Sequence, residues 1–175
     1  ISVVVSFLPA IVLALVFALP DIKALPPVAY FWMLGLGALN FVGGRTQIYL
    51  AINLVGAARS SAIGGAGVVF STIFAVTLAG ERPHGVLLAG IVIVVIGLVA
   101  VTEQSVQDGW SRDKKSLLGY LLALGAAASY GGANVMAKHL TLTYGSPLVI
   151  TAFSLFFGVI LLVPVAGTEV IQSLK

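Results

Sequence analysis

The stretch VLLAGIVIVVIGLVAV, Val86 to Val101, carries no charged or amide side chain and has no polar face. A helix that is apolar all round belongs in a large core or in lipid. A strand reading competes, because Val and Ile favour sheets. Strands of membrane barrels, however, alternate apolar and polar residues in segments of about ten, and this stretch does not alternate. It reads as a lipid-facing helix.

Outward from it stand two polar breaks: the turn Gly80-Glu81-Arg82-Pro83 before it and the run EQSVQDGWSRDKKS, Glu103 to Ser116, after it. Beyond both, the apolar pattern returns. A bilayer core takes about 20 apolar residues per helix, and stretches near that length lie at 2–19, 28–54, 57–79, 84–102, 117–138 and 147–167. Pro20-Asp21 and Pro26-Pro27 part the first two, and Tyr144-Gly145-Ser146-Pro147 precedes the last, each with turn chemistry. Trp110, within the longest polar break, suits a membrane interface. The expected fold is an all-α membrane protein, a polytopic bundle of about six transmembrane helices.

Composition agrees. The 175 residues are 59% hydrophobic and only 9% charged, with a mean hydropathy of +1.12, where soluble domains carry roughly a quarter charged residues. Such a chain cannot clothe itself in water, which excludes a soluble enzyme, a nucleic-acid binder and a disordered tail. Nine basic against six acidic side chains leave +3, and the bases are scattered. No phosphate-gripping patch forms from them, so no nucleic-acid partner is expected. Cysteine is absent and the two histidines are far apart, so no disulfide, thiol nucleophile, metal or cofactor is expected. The chain opens on Ile1 with no basic segment before its first apolar run, and reads as part of a longer protein.

Small residues recur at four-residue steps, which stacks them on one helix face. The third span has Ala57, Ser61 and Gly65, and beside them Gly67, Ser71 and Ala75; the fifth has Gly119, Ala123, Ala127 and Gly131. Such faces let backbones approach closely in lipid. Packing alone explains them, and smooth faces that let helices rock against one another are the functional alternative.

Polar groups inside a membrane are costly and point to function. The second span is richest, with Asn40, Arg45, Thr46, Gln47, Tyr49 and Asn53. α-Helical spacing puts Asn40, Gly44 and Gln47 on one face and Arg45, Tyr49 and Asn53 on its neighbour. These amides, guanidinium and phenol suit a cavity for a small polar or anionic solute. Arg45 could instead snorkel to the helix end, and Asn40 and Gln47 could be interhelical glue. Tyr130, Asn134 and Lys138 share a face of the fifth span. Tyr130 and Asn134 are cavity candidates, whereas Lys138 sits near the helix end and suits snorkelling. Glu81 precedes Pro83, expected at the start of the fourth span, where a carboxylate offsets the positive helix end. His84 and His139 fall at helix ends, and no acid lies deep in any span, so proton coupling has no evident carboxylate carrier.

In order along the chain, these residues resemble the EamA-like family of the drug/metabolite transporter superfamily. Tyr49-Leu50-Ala51-Ile52 is similar to the aromatic-x-Ala-Leu ending of the family's third helix. Leu78-Ala79-Gly80-Glu81-Arg82 looks like its Gly-Glu turn between the fourth and fifth helices, and Gly90 and Gly97 match the Gly-x6-Gly spacing of the fifth. Gly119, Ala127-Ala128-Ser129-Tyr130, Asn134 and Lys138 resemble the opening helix of a repeat, with Tyr130 where Trp is common. Gly64-Gly65-Ala66-Gly67 stands where the family often has a proline midway along its fourth helix, which leaves the kink there open.

The resemblance implies ten helices in two inverted five-helix repeats. Residues 1–102 would then be most of the first repeat, its second to fifth helices. Residues 103–116 would be the inter-repeat linker, and 117–175 the start of the second repeat, helices six and seven. Aligning 6–21 with 154–169 pairs Ser6 with Ser154, Leu13 with Leu161, Ala18 with Ala166 and Asp21 with Glu169, a faint echo of that repeat. The implied function is alternating-access transport of a small metabolite or drug-like solute, secondary active, through the bacterial plasma (inner) membrane. The implied partners are the solute, lipid and the remaining helices of the full-length chain, with a homo-oligomer left open.

Alternation of sides groups Lys23, Arg82 and Lys138 against Arg59, Arg112, Lys114, Lys115 and Lys175. The positive-inside rule places the second group in the cytoplasm, and the family topology implies the reverse. An intramembrane enzyme is an alternative, but His-Glu-x-x-His, Gly-x-Gly-Asp and a deep carboxylate pair are all missing. A structural or assembly membrane protein is the other.

Overall fold

Pro27 takes the first position of helix α1 (Pro27–Gly37), where its missing N–H is not needed, and the Ala29 N–H donates to the Pro26 carbonyl at 2.9 Å. The structure, a computed structural model, describes residues 25–107 and 114–173, with Val12, Val16 and Ile22 ahead of them. From α1 the chain passes into a π-helical segment, Ala38–Thr46, and then α2 (Gln47–Val55). There follow α3 (Ala57–Gly64), α4 (Gly67–Thr77), α5 (Gly85–Gln107), α6 (Lys114–Tyr144) and α7 (Pro147–Ser173). No strand occurs among the described residues.

By length and composition, Pro27–Val55, Ala57–Thr77 and Lys114–Tyr144 could each cross a membrane, and Gly85–Ala100 and Pro147–Leu162 are shorter apolar helices. Every expected span from 28 onward therefore falls on helix. The expected span 2–19 lies outside the described residues except for Val12 and Val16, and residues 108–113 of the polar break, with Trp110 and Arg112, lie outside them too. Several helices outrun their apolar stretches, because the backbone bonds of a helix do not depend on hydropathy. Beyond 138, α6 continues through Thr141 and Thr143, whose hydroxyls donate to the Ala137 and His139 carbonyls at 2.8 and 2.9 Å. The polar break is likewise helical at both ends, up to Gln107 and again from Lys114.

Glycine makes the sharp turns. Gly56 alone joins α2 to α3, at φ 88°, ψ 159°, a region open almost only to glycine. Its N–H donates to the Ile52 carbonyl at 2.9 Å, and the buried Ser60 hydroxyl donates to its carbonyl at 2.7 Å. The third span is interrupted between Gly64 and Gly67. Gly65 and Ala66 keep right-handed angles, but the ladder tightens, with the Ala66 N–H donating to the Ile63 carbonyl at 2.9 Å. Gly80, at φ 65°, turns the chain after α4.

Glu81 and Pro83 lie in the turn between α4 and α5. The first N–H groups of α5 converge on the His84 carbonyl, from Leu87 at 2.9 Å and Leu88 at 3.2 Å. The first turn of α5 itself holds no acid, and Pro83 lies two residues before its first residue, Gly85. The Glu81 N–H donates to the Ala75 carbonyl at 3.0 Å.

The chain divides into two compact units. One holds the chain up to Val42 and from Met136 onward. Within it α1 packs on α7: Ala29, Met33 and Leu36 are buried, as are Val149, Ile150 and Ala152. The Tyr30 ring meets Phe153 edge-on at 5.2 Å, and its hydroxyl donates to the Ile22 carbonyl at 3.0 Å. Closest approach is at Gly37, where a Cβ would stand 2.6 Å from the Ser154 carbonyl oxygen and 2.9 Å from the Gly158 nitrogen. The Phe41 ring in turn lies on Gly158.

The other unit is Gly43–Val135. Here α3 packs on α2, and both α3 and α4 pack on α5. The small-residue face of α6, with Ala123, Ala126 and Ala127 fully buried, meets α2 and α4. A Cβ on Gly119 would stand 2.6 Å from Val55 Cγ1, and one on Gly131 would stand 2.7 Å from the Ser71 nitrogen and 3.0 Å from the Gly67 oxygen. Gly67, Ser71 and Gly131, picked out by spacing, thus meet one another. Among the described residues, nothing lies within 4 Å of where Cβ atoms on Gly90 and Gly97 would stand.

Candidate functional site

Arg45 is the second-last residue of the π-helical segment, just after Gly43-Gly44. In a π-helix each N–H bonds five residues back, a geometry rare in general and frequent at functional sites. The wider turn also changes which residues align. The α-helical spacing that put Asn40, Gly44 and Gln47 on one face does not hold across Ala38–Thr46. Asn40 is half-buried and belongs to the unit that ends at Val42, whereas Arg45, Gln47, Tyr49, Tyr130 and Asn134 belong to the unit Gly43–Val135.

Two glycines hold the polar groups of that second unit. The Tyr130 ring of α6 lies flat against Gly44, where an added Cβ would stand 2.5 Å from Cε1 and 2.7 Å from Cζ. On its other side Tyr130 Cβ is 4.0 Å from the Cβ position of Gly67. The Gln47 amide, one residue into α2, lies directly over Gly125 of α6. The charge of Arg45 and the phenol of Tyr49 both act electrostatically on Tyr130. Arg45, Gln47 and Tyr130 are half-buried, Tyr49 is exposed, and Asn134, one turn on from Tyr130, is exposed too.

The cluster is therefore a guanidinium, two phenols and an amide, set between a π-turn and the small-residue face of α6. Its hydrogen-bonding groups suit a polar or anionic solute, and among the described residues no group of His, Asp or Glu could hold a metal ion. Arg45 lies well inside its span. Thr46 and the nine residues of α2 separate it from the end of its span, roughly 15 Å of helix, and helical side chains lean toward the N-terminus. An arginine at mid-span costs about 2.5–3.5 kcal/mol on insertion scales.

Sequence spacing missed Gly125 and the backing role of Gly44. The doublet Gly43-Gly44 beside a charged residue was the available signal. Gly37 and Gly158 were missed as well, because their crossing joins helices more than a hundred residues apart.

Apolar membrane-length helices with a polar cluster built on glycine contacts define an all-α integral membrane protein. Residues 1–102 match the EamA-like transporter family, and the chain belongs to that family, within the drug/metabolite transporter superfamily. Over 116 residues, 66% of the chain, it is 29% identical to the "Probable amino-acid metabolite efflux pump" of Escherichia coli (strain K12). The match covers 38% of that protein, so the chain spans well under half the length of this relative. No solved structure matches the chain.

Proposed function

We propose that the full-length protein moves a small metabolite across the membrane by alternating access, as a secondary active transporter with no chemistry on its cargo. The observation that carries this reading is the Arg45–Tyr130–Gln47 cluster, a set of solute-binding groups within membrane-length helices of a transporter-family chain. In the proposal Arg45, Gln47, Tyr49 and Tyr130 line the solute path, and Asn134 extends it along α6. The remaining helices complete two inverted repeats, 1–102 and the part beginning at 117, on either side of the polar linker 103–116. Inverted repeats around a midplane site are a common transporter plan. Amino acids are the first cargo to test, because the E. coli relative is named for them. The bacterial plasma membrane is the proposed location.

The experiment is solute flux in proteoliposomes of the full-length protein, with Gln47→Ala and Asn134→Ala beside the wild type. Both variants are expected to lower flux at unchanged membrane abundance. Wild-type flux in both would remove these residues from the path. Turnover of a substrate without flux would favour an intramembrane enzyme, and neither activity would favour an assembly role.

A further inference from the structure

We propose that Arg45 is an anion-binding subsite that takes the carboxylate of a small solute, with the Tyr130 hydroxyl as second donor. This rests on the reading of the cluster as a solute path. The first argument is charge. No Asp or Glu occurs in Pro27–Val55, Ala57–Thr77, Gly85–Ala100, Lys114–Tyr144 or Pro147–Leu162, so the fixed charge these helices bring to the membrane is positive. Arg45 is the cation lying farthest inside a span. A solute carrying a carboxylate complements it, and one carrying only an ammonium is repelled.

The second argument is geometry. A guanidinium offers a rigid planar fork that fits a carboxylate with two parallel hydrogen bonds. Such recognition needs a fixed frame, and the contacts of Tyr130 provide one. Its ring is seated on Gly44, the residue next to Arg45, with Cε1 2.5 Å from the position a Cβ would occupy, and its Cβ is 4.0 Å from that of Gly67. The phenol is therefore held against the backbone next to Arg45. Arg45 already acts on Tyr130 electrostatically, and a carboxylate between the two joins that interaction without displacing it. The π-turn sets the glycine doublet beside Arg45, and this lets an aromatic ring reach the backbone there.

The test uses purified full-length protein and a panel of L-amino acids, each compared with the amine left when its carboxylate is removed. Binding is read as a ligand-induced rise in the unfolding temperature, titrated to an affinity. The wild type is expected to bind at least one amino acid and to bind the matching amine far more weakly. Arg45→Gln should bind that amino acid about 10- to 100-fold more weakly, the loss of a hydrogen-bonded charged partner, with binding of the amine unchanged or improved. Arg45→Lys keeps the charge without the fork and should fall between. If Arg45→Gln does not fold, Tyr130→Phe decides, with a loss for the amino acid and none for the amine. Equal binding of acid and amine, wild-type affinity in the variants, or no binding of any amino acid would overturn the proposal. Carboxylate-selective binding without flux in proteoliposomes would overturn the transport reading and leave this one. Flux that ignores the carboxylate would do the opposite.

Discussion

Gly44, Gly131 and Gly90 carry the same side chain and should respond differently to one added methyl group. On Gly131 that methyl meets backbone, 2.7 Å from the Ser71 nitrogen, and backbone in a packed helix cannot yield. On Gly44 it meets the Tyr130 ring at 2.5 Å, which must leave its seat. At Gly90 it meets nothing within 4 Å. Gly131→Ala and Gly44→Ala are expected to destabilise the full-length protein by about 1–3 kcal/mol, the usual effect of overpacking. Gly90→Ala should be neutral or stabilise by up to about 1 kcal/mol, as alanine does in a helix interior. Thermal unfolding in detergent reads all three. Gly44→Ala should also lower solute binding, and Gly131→Ala should do so only as far as it unfolds the protein. The meeting of Gly67, Ser71 and Gly131 was legible because both helices carry matching four-residue ladders. For Gly90 and Gly97 the described residues supply no facing helix, because a ladder on one helix does not say which helix faces it.

At the scale of elements, hydropathy marked the helices well and their internal breaks poorly. Turn residues located the joints before α1, α5 and α7 within a few positions. The one-residue turn at Gly56 and the π segment Ala38–Thr46 stayed hidden, because both lie within or beside an apolar run whose composition does not change. Hydropathy cannot distinguish a ladder bonded four residues back from one bonded five back. These joints make a prediction of their own. Gly56, at φ 88° and ψ 159°, occupies a conformation that costs other residues about 1–3 kcal/mol. Gly65, at φ −58° and ψ −23°, occupies one that any residue adopts. Gly56→Ala should therefore lower the unfolding temperature clearly, and Gly65→Ala should change it little. Equal losses in the two would mean that packing, not backbone conformation, governs the breaks in these helices.

For the whole molecule, composition alone declared the class: a chain with 9% charged residues has too little polar surface for water. Its cargo was not legible, because the polar residues proposed to line the solute path come from separate helices and are joined only by folding. Gln47 meeting Gly125, and Tyr130 meeting Gly44, are contacts between stretches some eighty residues apart. Orientation is similarly a property of the whole chain. The family topology puts the polar linker outside the cell, against the charge rule. A cysteine at Ser111, in a chain with none of its own, is expected to react with an impermeant maleimide added to intact cells. Protection there, with labelling after lysis, would reverse the orientation. The central claim is that a family member carries solute past the Arg45–Tyr130–Gln47 cluster. Amino-acid counterflow in proteoliposomes of the full-length protein tests it most directly. The account predicts saturable exchange in the wild type and a marked loss in Gln47→Ala at equal protein incorporation. No exchange, or undiminished exchange in Gln47→Ala, would contradict it.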